Sequence, residues 1–491
     1  MVHIFTDSFT HIIDGKPATS PTAAPVIDPA TGEVFAQVPV ATYTQLEQTV
    51  AAADRAFASW SAKSWQERGD VLHALGALIE RHAEQFTNLI MREVGKDRGS
   101  AAFEVGLAAQ AISGFANHRL EDEIVTNDHG RSTKVRYRPY GVCAAVIAFN
   151  FPLIFTILKL SHALLAGNCL ILKTAPTTPC VPLKFTELAQ SIVPPGVLSV
   201  LYGGDDLGQW LVQHPRIMRF SFTGSTESGK AVMHEAAAGV KPLTLELGGN
   251  DPAIVLPDVD ARKVAQRLFI GAINNAGQQC FAMKRLFIHE DIYDAVRDEI
   301  VTLARHAKVG NPFDPETIMG PVQNQRVYEK LKILIADCNA HGYKIAYEGE
   351  AGPAGSKGYF IPITVIDDPP DDARIVREEQ FGPVIPLLRW KDDEEVIVRA
   401  MSHDHGVDFT ADDTEYGLDA SIWGSDMERI QKIADRLYVG TVWINEWAAM
   451  TGDLPMRGVK HSGIGVESSK HGLAEWVYTQ AFVCRESLDG R

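Results

Sequence analysis

The chain has 491 residues, 45% hydrophobic and 22% charged, an ordinary globular balance that excludes disorder and fibrous repeats. Its formal charge of −16 sets it against nucleic-acid and anionic-membrane partners. Six cysteines without paired CxxC spacing exclude a disulfide framework or zinc cluster and fit a reducing, cytoplasmic setting. The first residues lack the basic-then-apolar pattern of a signal peptide.

Residues 10–40 read as short strands, with turns at Asp14-Gly15 and Pro29-Ala30-Thr31-Gly32. A helix is predicted from near Thr42, with Thr44 and Glu47 as a capping box. Leu46, Val50, Ala53, Phe57 and Trp60 share one of its faces. Two further amphipathic helices carry Val71, Leu75, Leu78 and Ile79, then Phe86, Leu89 and Ile90. KVRYRPY (134–140) alternates basic and hydrophobic side chains, which predicts an edge strand or a protruding hairpin at a subunit contact. The apolar run Gly141–Leu158 is long enough to weigh as a membrane span. Asn150 and Pro152 interrupt it and Lys159 ends it, so a buried strand, a turn and a buried helix fit better.

From residue 142 apolar runs alternate with helical ones. Strands are expected at 142–149, 168–173, 197–203 and 216–224, with helices after Pro152, near 182–191, near 206–213 and after Ser225. This rhythm predicts an α/β fold with a doubly wound parallel sheet and ligands at the carboxyl ends of its strands. A second alternating block runs from about 253 to 450, with strands at 253–256 and 285–290 and helices near 260–276 and 292–307.

Several residues could carry chemistry. Cys280 follows Asn275-Ala276-Gly277-Gln278-Gln279, where Gly277 permits a tight turn that lifts a thiol into a cavity; a buried structural cysteine is the plainer reading. Glu246, flanked by leucines at a strand end, is either an exposed terminal charge or a general base. Asn150, between a strand and Pro152, could donate to an oxyanion or simply cap a helix. Phe222-Thr223-Gly224-Ser225-Thr226-Glu227-Ser228-Gly229 opens a helix where an anion meets free N–H groups, and Lys173 ends a parallel strand.

FNFP (149–152), LKTAPTTP (172–179), FTGSTESGK (222–230), LELGGN (245–250), GQQC (277–280), EEQFGPV (378–384) and KHSGIG (460–465) occur in this order across most of the chain. Together they resemble the aldehyde dehydrogenase superfamily. The separation of 34 residues between Glu246 and Cys280 also matches the family's base and nucleophile.

The resemblance implies that Cys280 attacks an aldehyde carbonyl and that Asn150, with the Cys280 backbone N–H, holds the oxyanion. Hydride then passes to NAD, with NADP also accepted, and Glu246 activates the water that hydrolyses the thioester. A base at Glu246 sets the chain apart from branches that release acyl-CoA. On the cofactor side the resemblance places Lys173 at the adenine ribose and Thr223, Gly224 and Ser225 at the pyrophosphate. It places Glu379, Phe381 and Phe149 at the nicotinamide ribose. Pro176 stands where NAD-preferring members often carry a glutamate. Phe151, Phe155, Leu158, Gln279, Phe281 and Trp447 match substrate-lining positions, an apolar set that favours a hydrophobic or aromatic aldehyde. Lys159 and Glu467 match a proton relay. Ser402–Asp413 looks like an insertion, read as a solvated loop, and no metal site is expected.

The implied architecture has three parts. Residues 1–120 and 142–248 form the dinucleotide-binding domain, 249–461 the catalytic domain, and 121–141 with 477–491 a β extension that pairs subunits into a homodimer or homotetramer. Two other readings compete: a cofactor-independent cysteine hydrolase or thioesterase, which would leave Lys173 and Glu379 idle, and a non-catalytic binding protein.

Overall fold

Apolar runs buried on both sides need a parallel sheet with helices on each face, and the chain builds two such sheets. The computed structural model describes residues 5, 8–128, 131–401 and 414–485. The first sheet has eight strands, in the order Lys16–Ala18, His11–Ile13, Leu198–Leu201, Cys169–Lys173, Val142–Val146, Arg219–Thr223, Leu243–Glu246 and Gly463–Ile464. The five from Leu198–Leu201 to Leu243–Glu246 are parallel. The chain enters at the central Val142–Val146, adds two strands on one side, then crosses to add two on the other. That reversal opens a crevice beyond the strands' carboxyl ends.

The second sheet orders Ile345–Glu348, Thr364–Asp367, Val384–Trp390, Arg285–His289, Pro252–Val255, Asp419–Trp423 and Thr441–Ile444. Ile345–Glu348 runs antiparallel at its edge and the other six strands are parallel. Each sheet has its own hydrophobic core, one centred on residues such as Trp60, Leu160 and Phe220, the other on Ile254, Phe287 and Leu387.

A third, antiparallel sheet joins Glu123–Asp128, Arg131–Pro139 and Val477–Arg485. KVRYRPY therefore forms the expected hairpin, but as its central strand and not an edge. Val477–Arg485 returns to pair with Arg131–Pro139 along all nine of its residues and satisfies the outer row of backbone groups. Ile124, Val125, Tyr478, Phe482 and Val483 are exposed on this sheet.

The capping box of the first helix, Tyr43–Ser61, also differs from expectation. Thr42 stays extended and its hydroxyl accepts from the Gln45 N–H at 3.2 Å, while Gln45 Oε1 accepts from the Thr42 N–H at 3.0 Å. Thr44 already lies inside the helix, and Glu47 turns instead to His214 at 3.0 Å. The tempting apolar run resolves into Val142–Val146 and Pro152–Ala166, both wholly buried. No described helix is long and apolar enough to cross a membrane. Ser402–Asp413 and the last six residues of the proposed extension, 486–491, lie outside the described residues.

Candidate active site

The carboxyl ends of the first sheet's strands bring distant residues to one crevice. Asn150 follows Val142–Val146, Lys173 ends Cys169–Lys173, Thr223 ends Arg219–Thr223 and Glu246 ends Leu243–Glu246. Parallel pairing sets Thr223 directly beside Glu246, and the Gly224 N–H donates to the Glu246 carbonyl at 3.0 Å.

Cys280 reaches this crevice on a bent turn. The helix Ala261–Ile273 gives way to Asn274–Gly277, where Asn275 (φ +53°), Ala276 (φ +54°) and Gly277 (φ +73°) are all left-handed. A Cβ on Gly277 would lie 2.4 Å from the Gly382 carbonyl oxygen, so only glycine fits there. The two non-glycine residues store about 1–3 kcal/mol each. Asn275 Nδ2 offsets part of this by donating to the carbonyls of Asn150 (3.1 Å) and Gln278 (3.2 Å). The thiol ends the turn half-buried.

Asn150 does not cap its helix. The N-cap of Pro152–Ala166 is Phe151, which makes no side-chain cap bond, and the first N–H groups of that helix donate elsewhere. Those of Leu153 and Ile154 donate to Glu104 Oε1 at 2.9 and 3.3 Å. Glu104 in turn pairs with buried Lys96 at 2.5 Å, whose ammonium sits 3.3 Å from the Phe151 ring centroid. Freed from capping, Asn150 Nδ2 donates to the Gln278 carbonyl at 2.9 Å, two residues before the thiol. An amide nitrogen has a second hydrogen to offer an oxyanion.

Burial pushes the Cys280 thiol well above its ordinary range, Lys284 opposes this, and Asp251, Asp419 and Glu246 add to it. Glu246 is 8% exposed and its Oε1 has no hydrogen-bond partner among the described residues. Burial first, and then Glu467 and Asp419, raise its carboxyl far above the usual carboxylate range against the pull of Lys159. Lys159 and Glu467 themselves form a buried ion pair. The base candidate therefore stands beside the two residues matched to a proton relay.

On the cofactor side, Ser225 caps Thr226–Ala237, accepting from the Ser228 N–H at 3.2 Å, and leaves a helix N-terminus facing solvent beside Gly224. Lys173 is 4% exposed, yet among the described residues its hydrogen bond is one long contact, 3.4 Å, to the neighbouring Thr174 carbonyl. The buried hydroxyl of Thr223 likewise has no partner among the described residues. An under-satisfied ammonium, an orphaned hydroxyl and a helix N-terminus suit a dinucleotide's ribose and phosphates. Glu379 Oε1 accepts from the Gly249 N–H at 3.1 Å. Phe381, at φ +57°, turns its ring edge-on to Phe149 with centroids 5.7 Å apart. Pro176 is exposed beyond Lys173.

The expected substrate residues divide. Leu158 lines a cavity of about 220 Å³ together with Leu107, Phe115, Ile154, Met450 and Met456. Phe151 packs edge-on against Phe155 (6.3 Å), and Phe281 against Trp447 (5.9 Å), whose indole N–H donates to the Phe281 carbonyl at 2.8 Å. Gln279 is buried, and its amide donates to the Asn274 carbonyl (3.1 Å) and side-chain oxygen (2.6 Å), which braces the thiol's turn. Of the six expected residues, Leu158 is the one in the wall of that cavity. Sequence reading missed the helix Arg98–Phe115, which supplies Leu107, Gln110 and Phe115 to that cavity, as well as Met450.

Comparison with known proteins identifies the family. Residues 16–482 match the model described as the aldehyde dehydrogenase family. The aldehyde dehydrogenase LUC3 of Fusarium sp is 37% identical over 474 residues, 96% of this chain and 98% of that protein. The NAD+ complex of an aldehyde dehydrogenase from Bacillus cereus is similar with a TM-score of 0.92 at 31% identity, covering 98% of this chain and 97% of that one. An NADP-dependent enzyme of E. coli gives a TM-score of 0.92 at 31% identity, covering 97% and 98%. This chain belongs to the aldehyde dehydrogenase family and is an oxidoreductase that oxidises an aldehyde with NAD(P)+.

Proposed function

We propose that the protein oxidises a hydrophobic or aromatic aldehyde to its carboxylic acid through an acyl-Cys280 thioester that it hydrolyses itself. The observation that carries this reading is the meeting of three groups at one crevice: the half-buried Cys280 thiol, the Asn150 amide bonded to the turn that bears it, and the partnerless carboxyl oxygen of Glu246. Glu246 takes the thiol proton, and Cys280 Sγ adds to the aldehyde carbon. The carbonyl oxygen becomes an oxyanion that accepts from Asn150 Nδ2 and the Cys280 N–H. Bound NAD(P)+ supplies the hydride acceptor. Loss of hydride leaves a thioester on Cys280. Glu246 passes the thiol proton on to the Lys159–Glu467 pair; a water then attacks the acyl carbon as the freed carboxylate takes its proton, the thiolate leaves, and the acid is released. The Lys159–Glu467 pair gives that proton a buried route outward.

Lys173, Thr223, Gly224 and Ser225 are assigned to the adenine ribose and pyrophosphate, and Glu379, Phe381 and Phe149 to the nicotinamide ribose. The substrate preference rests on the leucines, isoleucine, phenylalanine and methionines of the 220 Å³ cavity, whose wall also carries the polar Gln110, His118 and Asp453. Residues 1–120 with 142–248, 249–461, and 121–141 with 477–491 act as cofactor domain, catalytic domain and pairing extension. The exposed apolar residues of the third sheet support a homo-oligomer built through that extension. A cofactor-independent hydrolase leaves the dinucleotide residues without a role and gains no support from the relatives.

The test is a panel of aliphatic, aromatic and charged aldehydes with NAD+ and NADP+, following nicotinamide absorbance, acid product and the mass of Cys280. Reduced cofactor and acid should form in equal amounts, fastest with apolar aldehydes. Preference for charged semialdehydes refutes the substrate class, and acid without reduced cofactor refutes the mechanism.

A further inference from the structure

Lys284 is a cation at the centre of the site with no role in the chemistry above. Its side chain is 3% exposed. Its Nζ donates to the Cys280 carbonyl at 2.6 Å and lies 3.4 Å from Glu379 Oε1. The same ammonium is 6.0 Å from the Phe381 ring centroid, and the Lys284 backbone N–H donates to the Asp251 carbonyl at 3.0 Å. The ionisable groups around it are Glu379, the buried carboxyls of Asp251 and Asp419, the Cys280 thiol, and Lys330, whose Nζ donates to the Glu379 carbonyl. Of the groups acting on the thiol, Asp251, Asp419 and Glu246 all oppose a thiolate, while Lys284 favours one. An ammonium buried this deeply is costly unless it is paired on both sides, and here one side is the nucleophile's turn and the other the cofactor carboxylate.

We propose that Lys284 is a positioning residue for the oxidation: its ammonium ties the turn bearing Cys280 to the carboxylate of Glu379, so that thiol and nicotinamide-ribose ligand are held as one unit. This rests on the reading of Cys280 as nucleophile and Glu379 as ribose ligand. Two consequences separate the role from mere packing. The thiolate loses its favourable charge when Lys284 is neutralised. Glu379 at the same time loses its ion pair and keeps the Gly249 N–H, so cofactor affinity changes together with thiol reactivity.

The experiment uses the full-length enzyme with Lys284→Met, Lys284→Gln and Lys284→Arg. Alkylation of Cys280 by iodoacetamide is followed by the mass of its proteolytic peptide across pH, which separates it from exposed Cys484, and NAD+ binding by titration. Lys284→Met should slow alkylation of Cys280 roughly tenfold at a fixed pH. It should also weaken NAD+ binding by about threefold or more. Lys284→Arg should stay within about threefold of wild type in both. Lys284→Gln, which keeps a donor to the Cys280 carbonyl, gives the same two readings if Lys284→Met does not fold. A neutral variant with wild-type alkylation profile and wild-type NAD+ affinity overturns the proposal and leaves the proposed function standing. A Cys280→Ser variant that still oxidises aldehyde overturns the nucleophile assignment itself, and this proposal with it.

Discussion

Lys173 offers a test in which stability and cofactor binding move in opposite directions. Burial lowers its ammonium from the ordinary 10.5 to about 8, with Asp205 opposing. At about 1.4 kcal/mol per tenfold change in proton affinity, keeping that charge buried costs the cofactor-free protein about 3 kcal/mol. Lys173→Met removes the charge while keeping an apolar stem of similar length. Without cofactor the variant should therefore be more stable than wild type at pH 7, by up to about 3 kcal/mol in urea unfolding. The sign follows from the protons. Below about pH 8 the lysine is charged in both states and the full cost applies. Between about 8 and 10.5 the folded protein has shed the proton while the unfolded chain keeps it, so wild-type stability rises with pH and the gap closes. NAD+ should narrow the gap: at a hundredfold excess over its dissociation constant it stabilises the wild type by about 2.7 kcal/mol, and the variant, without the ammonium proposed to hold the ribose, by less. A variant less stable than wild type at pH 7 without cofactor, or a gap indifferent to pH, refutes the reasoning.

Cys280→Ser should abolish aldehyde oxidation while NAD+ titration stays as in wild type; retained turnover removes the nucleophile assignment. Glu246→Gln should slow thioester hydrolysis more than hydride transfer, which stopped-flow absorbance reads as a burst of reduced cofactor followed by slow turnover; slow turnover with no burst counts against it. Pro176→Glu places a carboxylate near the adenine ribose, where it repels a 2′-phosphate, and should move the NAD+/NADP+ ratio of kcat/KM toward NAD+ by about tenfold. An unchanged ratio discredits the placement of Pro176.

What the sequence made legible was whatever depends on local periodicity or on short ordered motifs. The strands Cys169–Lys173 and Arg285–His289 and the helix Tyr293–His306 fall within a residue or two of expectation, because a buried parallel strand is a continuous apolar run and an amphipathic helix repeats every 3.6 residues. The capping box slipped by two residues, since Thr42 and Thr44 offer the same hydroxyl and only the backbone angle at Thr42 chooses between them. KVRYRPY looked like an edge because its partner, Val477–Arg485, lies more than 300 residues away. The same distance hid the cavity: Leu107 and Met450 come from opposite ends of the chain, and no spacing rule joins them. The bonds from Gln279 to Asn274 were equally hidden, because they depend on the left-handed turn, which sequence signals only through Gly277.

Buried carboxylates show why position must decide function here. Glu93 is fully buried and its carboxyl is pushed up to about 7, chiefly by burial. That alone would nominate it as a base. Its two oxygens, however, accept from the N–H groups of Cys180 (2.5 Å) and Val181 (3.1 Å), so it serves as the N-terminal cap that Cys180–Ala189 lacks in its own sequence. Glu104 does the same for Pro152–Ala166. Asp251 comes closer to a catalytic group, since its Oδ2 has no partner among the described residues, but its Oδ1 is held by the Asp419 N–H at 3.2 Å and Lys284 acts on it. Glu246 differs in place. It ends a strand of the doubly wound sheet, beside Thr223 at the strands' carboxyl ends, and its Oε1 has no hydrogen-bond partner among the described residues. A buried acid whose oxygens are filled by backbone N–H groups holds the fold together, whereas one left open at that crevice is available to move a proton.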